Sequence, residues 1–245
     1  QPGSYYLAGN LVFTNSTATN GITIASSDVR LDLHGFTITA PTNISSLDGI
    51  CVEPSPEPPT QRFNITVRNG VVRGWGGNGI NTVEADDSQI SDVKVMGNTG
   101  RGMYVGPNSL VERCSIRNSG SCGLEILAGG TVIDCKVSEN GRGGPYHEGI
   151  YANEGNKITG CTANNNEIGI EAFSYCTVRD CTALWNDTHG IWVSGDSCRI
   201  EDNNCSYNGY VGSVGAGIYV VGQGSRIEAN NVTYNEQGIQ VEGVG

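Results

Sequence analysis

The sequence predicts an all-β solenoid, a right-handed parallel β-helix of about ten coils, and three observations carry the prediction. First, Gly followed by Ile, Leu or Met recurs along the whole chain: at Gly21, Gly49, Gly79, Gly102, Gly123, Gly149, Gly169, Gly190, Gly217 and Gly238. The intervals are 28, 30, 23, 21, 26, 20, 21, 27 and 21 residues, and self-similarity at such a period marks a repeat architecture. Second, the segments between these sites, such as TVIDCKVSEN and RIEANNVTYN, alternate apolar and polar residues over three or four positions. That is the period of two expected of a strand with one buried face. Third, the 245 residues include 36 glycines but only four phenylalanines and two methionines, a composition suited to short strands and tight bends. No stretch sustains the three-and-four spacing of an amphipathic helix.

Taken in chain order, the N-terminal segment of about residues 1–20 is expected to close its own end, with Tyr5, Tyr6, Leu7 and Leu11 folding over the first coil. Each repeat then supplies a Gly-Ile strand, a small turn and a second strand segment. Coils stacked in parallel at ~4.8 Å would build a rod of roughly 45–50 Å, and a right-handed crossover is the strong default. One inward column runs Ile22, Ile50, Ile80, Met103, Leu124, Ile150, Ile170, Ile191, Ile218 and Ile239. Others run Val95, Ile116, Val137, Ala163, Ala183, Cys205 and Val232, and Val93, Cys114, Cys135, Cys161, Cys181, Asn203 and Asn230. At the bend before each Gly-Ile strand sit Asn98, Ser119, Asn140, Asn166, Asn186, Asn208 and Asn235, whose amides can satisfy the turn backbone and each other. The unbroken repeat predicts one domain over residues 1–245. The sequence stops at GIQVEGVG, before that coil closes, so the last coil is expected to be covered by a continuation of the chain or by end-to-end association of copies.

The Gly-Ile repeats, with the opening GSYYLAGNLVF and the following NGITIASSDVRLDLHGFTITA, resemble the right-handed β-helix repeat proteins of the pectin-lyase-like group. The opening is similar to the first coils of secreted bacterial members. The resemblance covers essentially the whole chain. It implies the fold strongly and the function weakly, because the group includes lyases, glycosidases, epimerases and non-catalytic surface proteins.

The net charge of −11, from 25 acidic and 14 basic residues, weighs against nucleic acid and anionic membrane, which are bound mainly through Lys and Arg. It also weighs against a strongly anionic polysaccharide unless calcium bridges the two. No apolar run approaches the ~20 residues of a membrane span, so no membrane insertion is expected, and the reading places the protein outside the cytoplasm, secreted or at the cell surface.

Nine cysteines contain no C-x-x-C, so the usual spacing of a structural zinc site is missing. Cys114, Cys135, Cys161 and Cys181 share one inward column, and Cys176 and Cys198 another, which suits buried thiols that pack as small hydrophobes. No resident cofactor is expected. The nearest approach to one is calcium: GGNGINTV at Gly76 resembles a calcium-binding nonapeptide but carries Asn81 where Asp is needed, and Glu84, Asp86 and Asp87 read equally well as a solvated turn. Asn186, in an Asn-X-Thr triplet, belongs to the inward row, which argues against a glycan there.

Chemistry is expected on the residue that points outward from each Gly-Ile strand. On six consecutive coils these are Tyr104, Glu125, Tyr151, Glu171, Trp192 and Tyr219. Aromatic faces stack on sugars and carboxylates accept their hydroxyls, so a polysaccharide or oligosaccharide is the expected partner. Two insertions, GRGGPYHE before Gly149 and GYVGSVGA before Gly217, are expected to wall a groove there. His147 and Glu148 belong to the first wall, while Asp187 and His189 occupy the short turn between the two. Glu125 and Glu171 lie two coils apart, ~9.6 Å along the axis, near the upper limit of the ~6.5–9.5 Å separation of inverting glycosidase carboxylates. Glu148 or His189 is an alternative acid or base. Arg101, and after it Arg142, is the cation near enough to hold a charged sugar. These features favour hydrolysis over elimination or epimerisation if the groove is catalytic. A non-catalytic structural or cell-surface module is the competing class.

Overall fold

A computed structural model describes the chain except residues 15–18, 41–45, 56–59, 142–147, 210–214 and 243–245. Among the described residues every regular element is a strand. The ten Gly-Ile strands form one ten-stranded sheet in sequence order. Neighbours pair in parallel and in register, Leu124 opposite Ile150, Ile150 opposite Ile170 and Ile170 opposite Ile191. Ten strands make nine register steps, so the protein is a parallel β-helix of about nine turns. The second segments join an 18-stranded sheet. From residue 110 onward each coil gives that sheet two short strands, such as Thr131–Ile133 and Lys136–Ser138.

The bends between these strands are made by single residues in the left-handed region. Asp92, Arg113, Asp134, Gly160, Asp180, Asp202 and Ala229 occupy one corner with φ of 51–66°. Short Asp, Asn and Gly residues tolerate that conformation best, which accounts for most of this corner. At the next corner, Gly97, Asn118, Glu139, Asn165, Trp185, Tyr207 and Tyr234 do the same.

The expected columns are the core. Ile50, Ile80, Met103, Leu124, Ile150, Ile170, Ile191 and Ile218 are fully buried, as are Val95, Ile116, Ala163, Ala183 and Cys205. The reason for the invariant glycine is close approach. A Cβ on Gly79, Gly102 or Gly123 would lie 2.3, 2.3 and 2.5 Å from Val95 Cγ1, Ile116 Cγ2 and Val137 Cγ1. These coils pull their backbone against a branched side chain; at Gly149, Gly169 and Gly190 the close neighbours are instead a row amide and the next glycine's carbonyl, at 2.4–2.7 Å. The following Ile fills the space so defined.

The row of amides at the bend is buried and connected. Asn140, Asn166 and Asn186 Oδ1 accept from the backbone N–H of the preceding coil's Ser119, Asn140 and Asn166, each at 3.0 Å. Their Nδ2 groups donate to the carbonyls of Ile116, Val137 and Ala163. Backbone groups that water cannot reach are thereby paired. All nine cysteines are free thiols, and all but Cys51 are buried.

The ends differ from the middle. Tyr5 and Tyr6 do not fold over the first coil. They lie on Gly3–Tyr6, which pairs in parallel with Val29–Asp32, and are 47% and 70% exposed. Leu7 alone of the expected closing residues is buried, and Leu11 packs partly against the core. The segment extends the sheet because its alternation matches the strand beneath it. At the other end Ile239 is 49% exposed, for want of a coil above it in the described chain.

Candidate functional site

The outward column forms on the Gly-Ile sheet as its spacing requires. Tyr104, Glu125, Tyr151, Glu171, Trp192 and Tyr219 are successive register partners. Glu125 and Glu171 are therefore two coils apart, with Tyr151 between them. Their environment differs from an exposed ladder: the rings are half-buried, and Glu125 and Glu171 are each only 7% exposed. Side chains ~4.8 Å apart along the column roof one another over.

The two carboxyls meet different fates. Glu125 forms an ion pair with Arg101, whose guanidinium also lies 4.5 Å above the centre of the Tyr104 ring. Burial pushes the Glu125 carboxyl up and Arg101 partly offsets it, while the guanidinium itself is held more firmly protonated by that carboxylate against its own burial. Glu171 has no such cation among the described residues. Burial pushes Glu171 up to about 7; a hydrogen bond from the Ser194 hydroxyl pulls the other way, and the neighbouring carboxyl of Glu148 adds to the rise. Glu148 starts the strand Glu148–Ala152 and is 8% exposed; its Oε2 is enclosed and accepts no hydrogen bond. The hydroxyl of Tyr151 is pushed up to about 12 by burial and by the charges of Glu171, Glu125 and Glu148. Burial in the company of like charge is what displaces a carboxyl so far.

An aromatic cluster adjoins this pair. The ring of His189 lies 4.6 Å from that of Tyr219 at 15° and 6.0 Å from that of Trp192, and Trp192 and Tyr219 are 6.1 Å apart. His189 Nδ1 accepts from the backbone N–H of Ala216 at 3.1 Å, which leaves the proton of the neutral ring on Nε2. Burial lowers the imidazole pKa. Trp192 Nε1 is enclosed without a hydrogen-bond partner, the enclosed Ser194 Oγ has only the Glu171 carboxyl beside it, and Tyr219 donates its hydroxyl to Glu242 at 2.8 Å.

The site thus gathers Glu148, Tyr151, Glu171, His189, Trp192 and Tyr219, and binds Arg101 to Glu125 one coil further along. His147 and Arg142 lie outside the described residues, as do most of both insertions expected to form walls. Ser194 and Glu242 were not singled out from the sequence. Ser194 follows Trp192 by two, and Glu242 follows Gln240, the register partner of Tyr219, by two, so strict alternation places both on the outer face. The GGNGINTV stretch is used internally: Asp48 accepts from Asn78 N–H at 2.6 Å and from Asn81 Nδ2 at 2.8 Å. Among the described residues no group of three or more His, Cys, Asp or Glu is placed to hold a metal ion.

The family described as right handed beta helix region matches residues 3–149 and, overlapping, residues 111–245. The chain belongs to this family. No curated protein matches its sequence. Among solved structures, the β-helix is similar to the A-module of an Azotobacter vinelandii mannuronan C-5 epimerase, at 16% identity and a TM-score of 0.58, over 99% of this chain and 88% of that one. A second mannuronan C-5 epimerase A-module from the same organism gives 12% identity and a TM-score of 0.61, over 97% and 90%. The ORF18 protein of Geobacillus virus E2 gives 15% and 0.66, over the whole of this chain and 53% of that one. At such identities the likeness is one of fold.

Proposed function

We propose that this β-helix acts outside the cytoplasm as a carbohydrate-binding protein, secreted or at the cell surface, and that it hydrolyses the glycan it binds. The glycan lies on the Gly-Ile face across Tyr151, Glu171 and Trp192. The observation that carries the reading is the enclosed Glu148–Glu171 pair beside the Trp192–His189–Tyr219 rings. A carboxyl held up to about 7 is still about half protonated at neutral pH and can protonate a leaving oxygen. Glu171 is therefore the acid, and Glu148 beside it holds that proton in place until the leaving oxygen takes it. Glu125, neutralised by Arg101, orients substrate hydroxyls in place of an acid–base role. The two epimerase modules, which by their names act on mannuronan, support a polysaccharide partner for this fold.

The test is a glycan-array screen followed by product analysis on each hit. Trp192→Ala should weaken oligosaccharide binding by about 0.5–1.5 kcal/mol beyond lost area. Glu171→Gln should abolish product formation and leave binding in place. Unchanged affinity after Trp192→Ala would move the site elsewhere. A second reading, a non-catalytic binding module, is favoured by the enclosure of Glu148 Oε2, Trp192 Nε1 and Ser194 Oγ; binding without any released product would select it.

A further inference from the structure

We propose that the glycan taken by this face carries free amino groups, with an ammonium seated between Glu148 and Glu171 and against the ring of Trp192. The inference rests on the glycan-binding part of that reading and adds the chemical class of the ligand; it does not extend to hydrolysis, because an ammonium that ionises Glu171 leaves it no proton to give a leaving oxygen.

Three observations lead there. The described part of the site holds three enclosed carboxyls, Glu125, Glu148 and Glu171, and one cation, Arg101, which Glu125 already engages. Glu148 and Glu171 form no ion pair among the described residues, yet they lie close enough for one carboxyl to disturb the other. Glu148, more than nine-tenths buried, has an enclosed oxygen that takes no N–H from a described residue, and its hydrogen-bonding neighbour is the Glu171 carboxyl, so the pair is held together only by a retained proton. What the pair lacks is a positively charged donor. An ammonium supplies both the charge and the N–H groups, and an indole face within ~6 Å adds a cation–π contribution.

Every described group that faces Glu171 agrees. From the preceding coil come Glu148 and Tyr151, and from the following coil Trp192 and Ser194. His189 sits in the turn before Trp192 with its Nδ1 committed as an acceptor, and burial favours its neutral form. Ser194 offers a neutral hydroxyl that lowers the Glu171 pKa in part, and none of these groups brings a positive charge to the two carboxyls. A uronate would bring a third negative charge to the same place. A neutral sugar would leave the repulsion to be relieved by a retained proton. The net charge of −11 also draws a polycation toward the rod and repels a polyanion.

Proton linkage gives the inference a signature. A cation beside the pair favours the ionised form of both carboxyls. Glu171, protonated below about pH 7 in the free protein, must then give up its proton on binding. At pH 6 an amino sugar therefore releases a proton as it binds, whereas a neutral sugar releases none.

The experiment is isothermal titration calorimetry of the whole chain at pH 6 with three tetrasaccharides, of glucosamine, N-acetylglucosamine and galacturonic acid. Two buffers of different ionisation enthalpy read the proton release. The glucosamine oligomer should bind about tenfold or more tightly than its N-acetylated counterpart, the worth of one charge-assisted contact, and release a proton. The galacturonate should bind weakest. Glu148→Gln with Glu171→Gln should bring the glucosamine affinity down to that of the neutral sugar; if the double variant does not fold, the wild-type comparison decides alone. Equal or tighter binding of the neutral or anionic oligomer overturns the amino-sugar inference and leaves the glycan reading standing. If none of the three binds, and the glycan array also shows nothing, the glycan reading itself falls.

Discussion

Glu171→Gln should make this protein more stable, and only above a definable pH. Glutamine keeps the volume and shape of the side chain and removes the charge. In the native protein burial and Glu148 raise the Glu171 carboxyl from an ordinary 4.5 to about 7. A carboxyl whose pKa is higher folded than unfolded binds its proton more tightly in the native state. Its unfavourable contribution is therefore absent below pH 4.5, grows as pH rises toward 7 and is complete above it. At ~1.4 kcal/mol per pKa unit, the full cost of charging this site is about 3 kcal/mol. Urea unfolding of wild type and variant at pH 4 and pH 8, with ΔG taken from midpoint and slope, measures the difference. The expected result is near equality at pH 4 and a gain of about 3 kcal/mol for the variant at pH 8. A stabilised protein that forms no product would fit a strained functional carboxyl. The same difference at both pH values, or destabilisation at pH 8, would show that Glu171 is not held against its charge.

Further expectations concern the scaffold and its ends. Gly123→Ala places a Cβ 2.5 Å from Val137 Cγ1 and 2.6 Å from the Gly149 carbonyl oxygen, and should cost ~1–3 kcal/mol in urea unfolding. Gly238→Ala, with nothing within 4 Å, should stay within about 0.5 kcal/mol of wild type, so equal losses would refute the close-approach account. Asn186→Ala removes the acceptor of Asn166 N–H and the donor to the Ala163 carbonyl; at ~1–3 kcal/mol per stranded buried group, it should cost roughly 3 kcal/mol or more, and a loss under about 1 kcal/mol would show that water replaces the amide. Ile239, in the last described strand, is 49% exposed while Ile218 one coil below is fully buried, so Ile239→Ala should cost clearly less in urea unfolding than Ile218→Ala, and equal losses would count against the burial read for this column.

The inward columns were legible because a parallel solenoid adds one residue per coil to each, so a period of two fixes its members. The register of Leu124 on Ile150 and Ile150 on Ile170 follows from aligning Gly-Ile pairs alone. The reason for the glycine was not legible, because it depends on Val137 reaching across the bend to Gly123, a contact that no local pattern encodes. The same limit applies to Trp185, Tyr207 and Tyr234. Each precedes a row Asn in LWN, SYN and TYN, yet only the structure shows three rings stacked at 4.3 and 5.1 Å on adjacent coils, held in the left-handed region. At the site, alternation placed Glu125 and Glu171 on the outer face, but it carries no measure of how far their neighbours enclose them. Spacing put Glu125 and Glu171 two coils apart, but it could not show that Arg101 pairs with Glu125, that Tyr151 stands between the two, or that Glu148 is the carboxyl beside Glu171.

That contrast shows how a repeat can diversify chemistry without altering its frame. Glu125 and Glu171 occupy the same position of their coils, on the same sheet, at the same exposure. What separates them is one side chain each, placed just before the Gly of a Gly-Ile strand: Arg101 before Gly102 and Glu148 before Gly149. The glycine itself is pinned by the core, while the residue before it varies from buried Cys122, Ile168 and Ala216 to the charged Arg101 and Glu148. Where it is long and charged it acts on the outward column of the next coil. A basic residue there neutralises the carboxyl above it, and an acidic one raises its pKa. Exchanging these charges is therefore a direct trial of the logic. Glu148→Arg should bring Glu171 below its present value of about 7, because a cation favours the ionised carboxylate. An NMR titration of the Glu171 side-chain carboxyl carbon would read the change, and an unmoved midpoint would show that burial alone, independent of the residue before the glycine, sets this carboxyl.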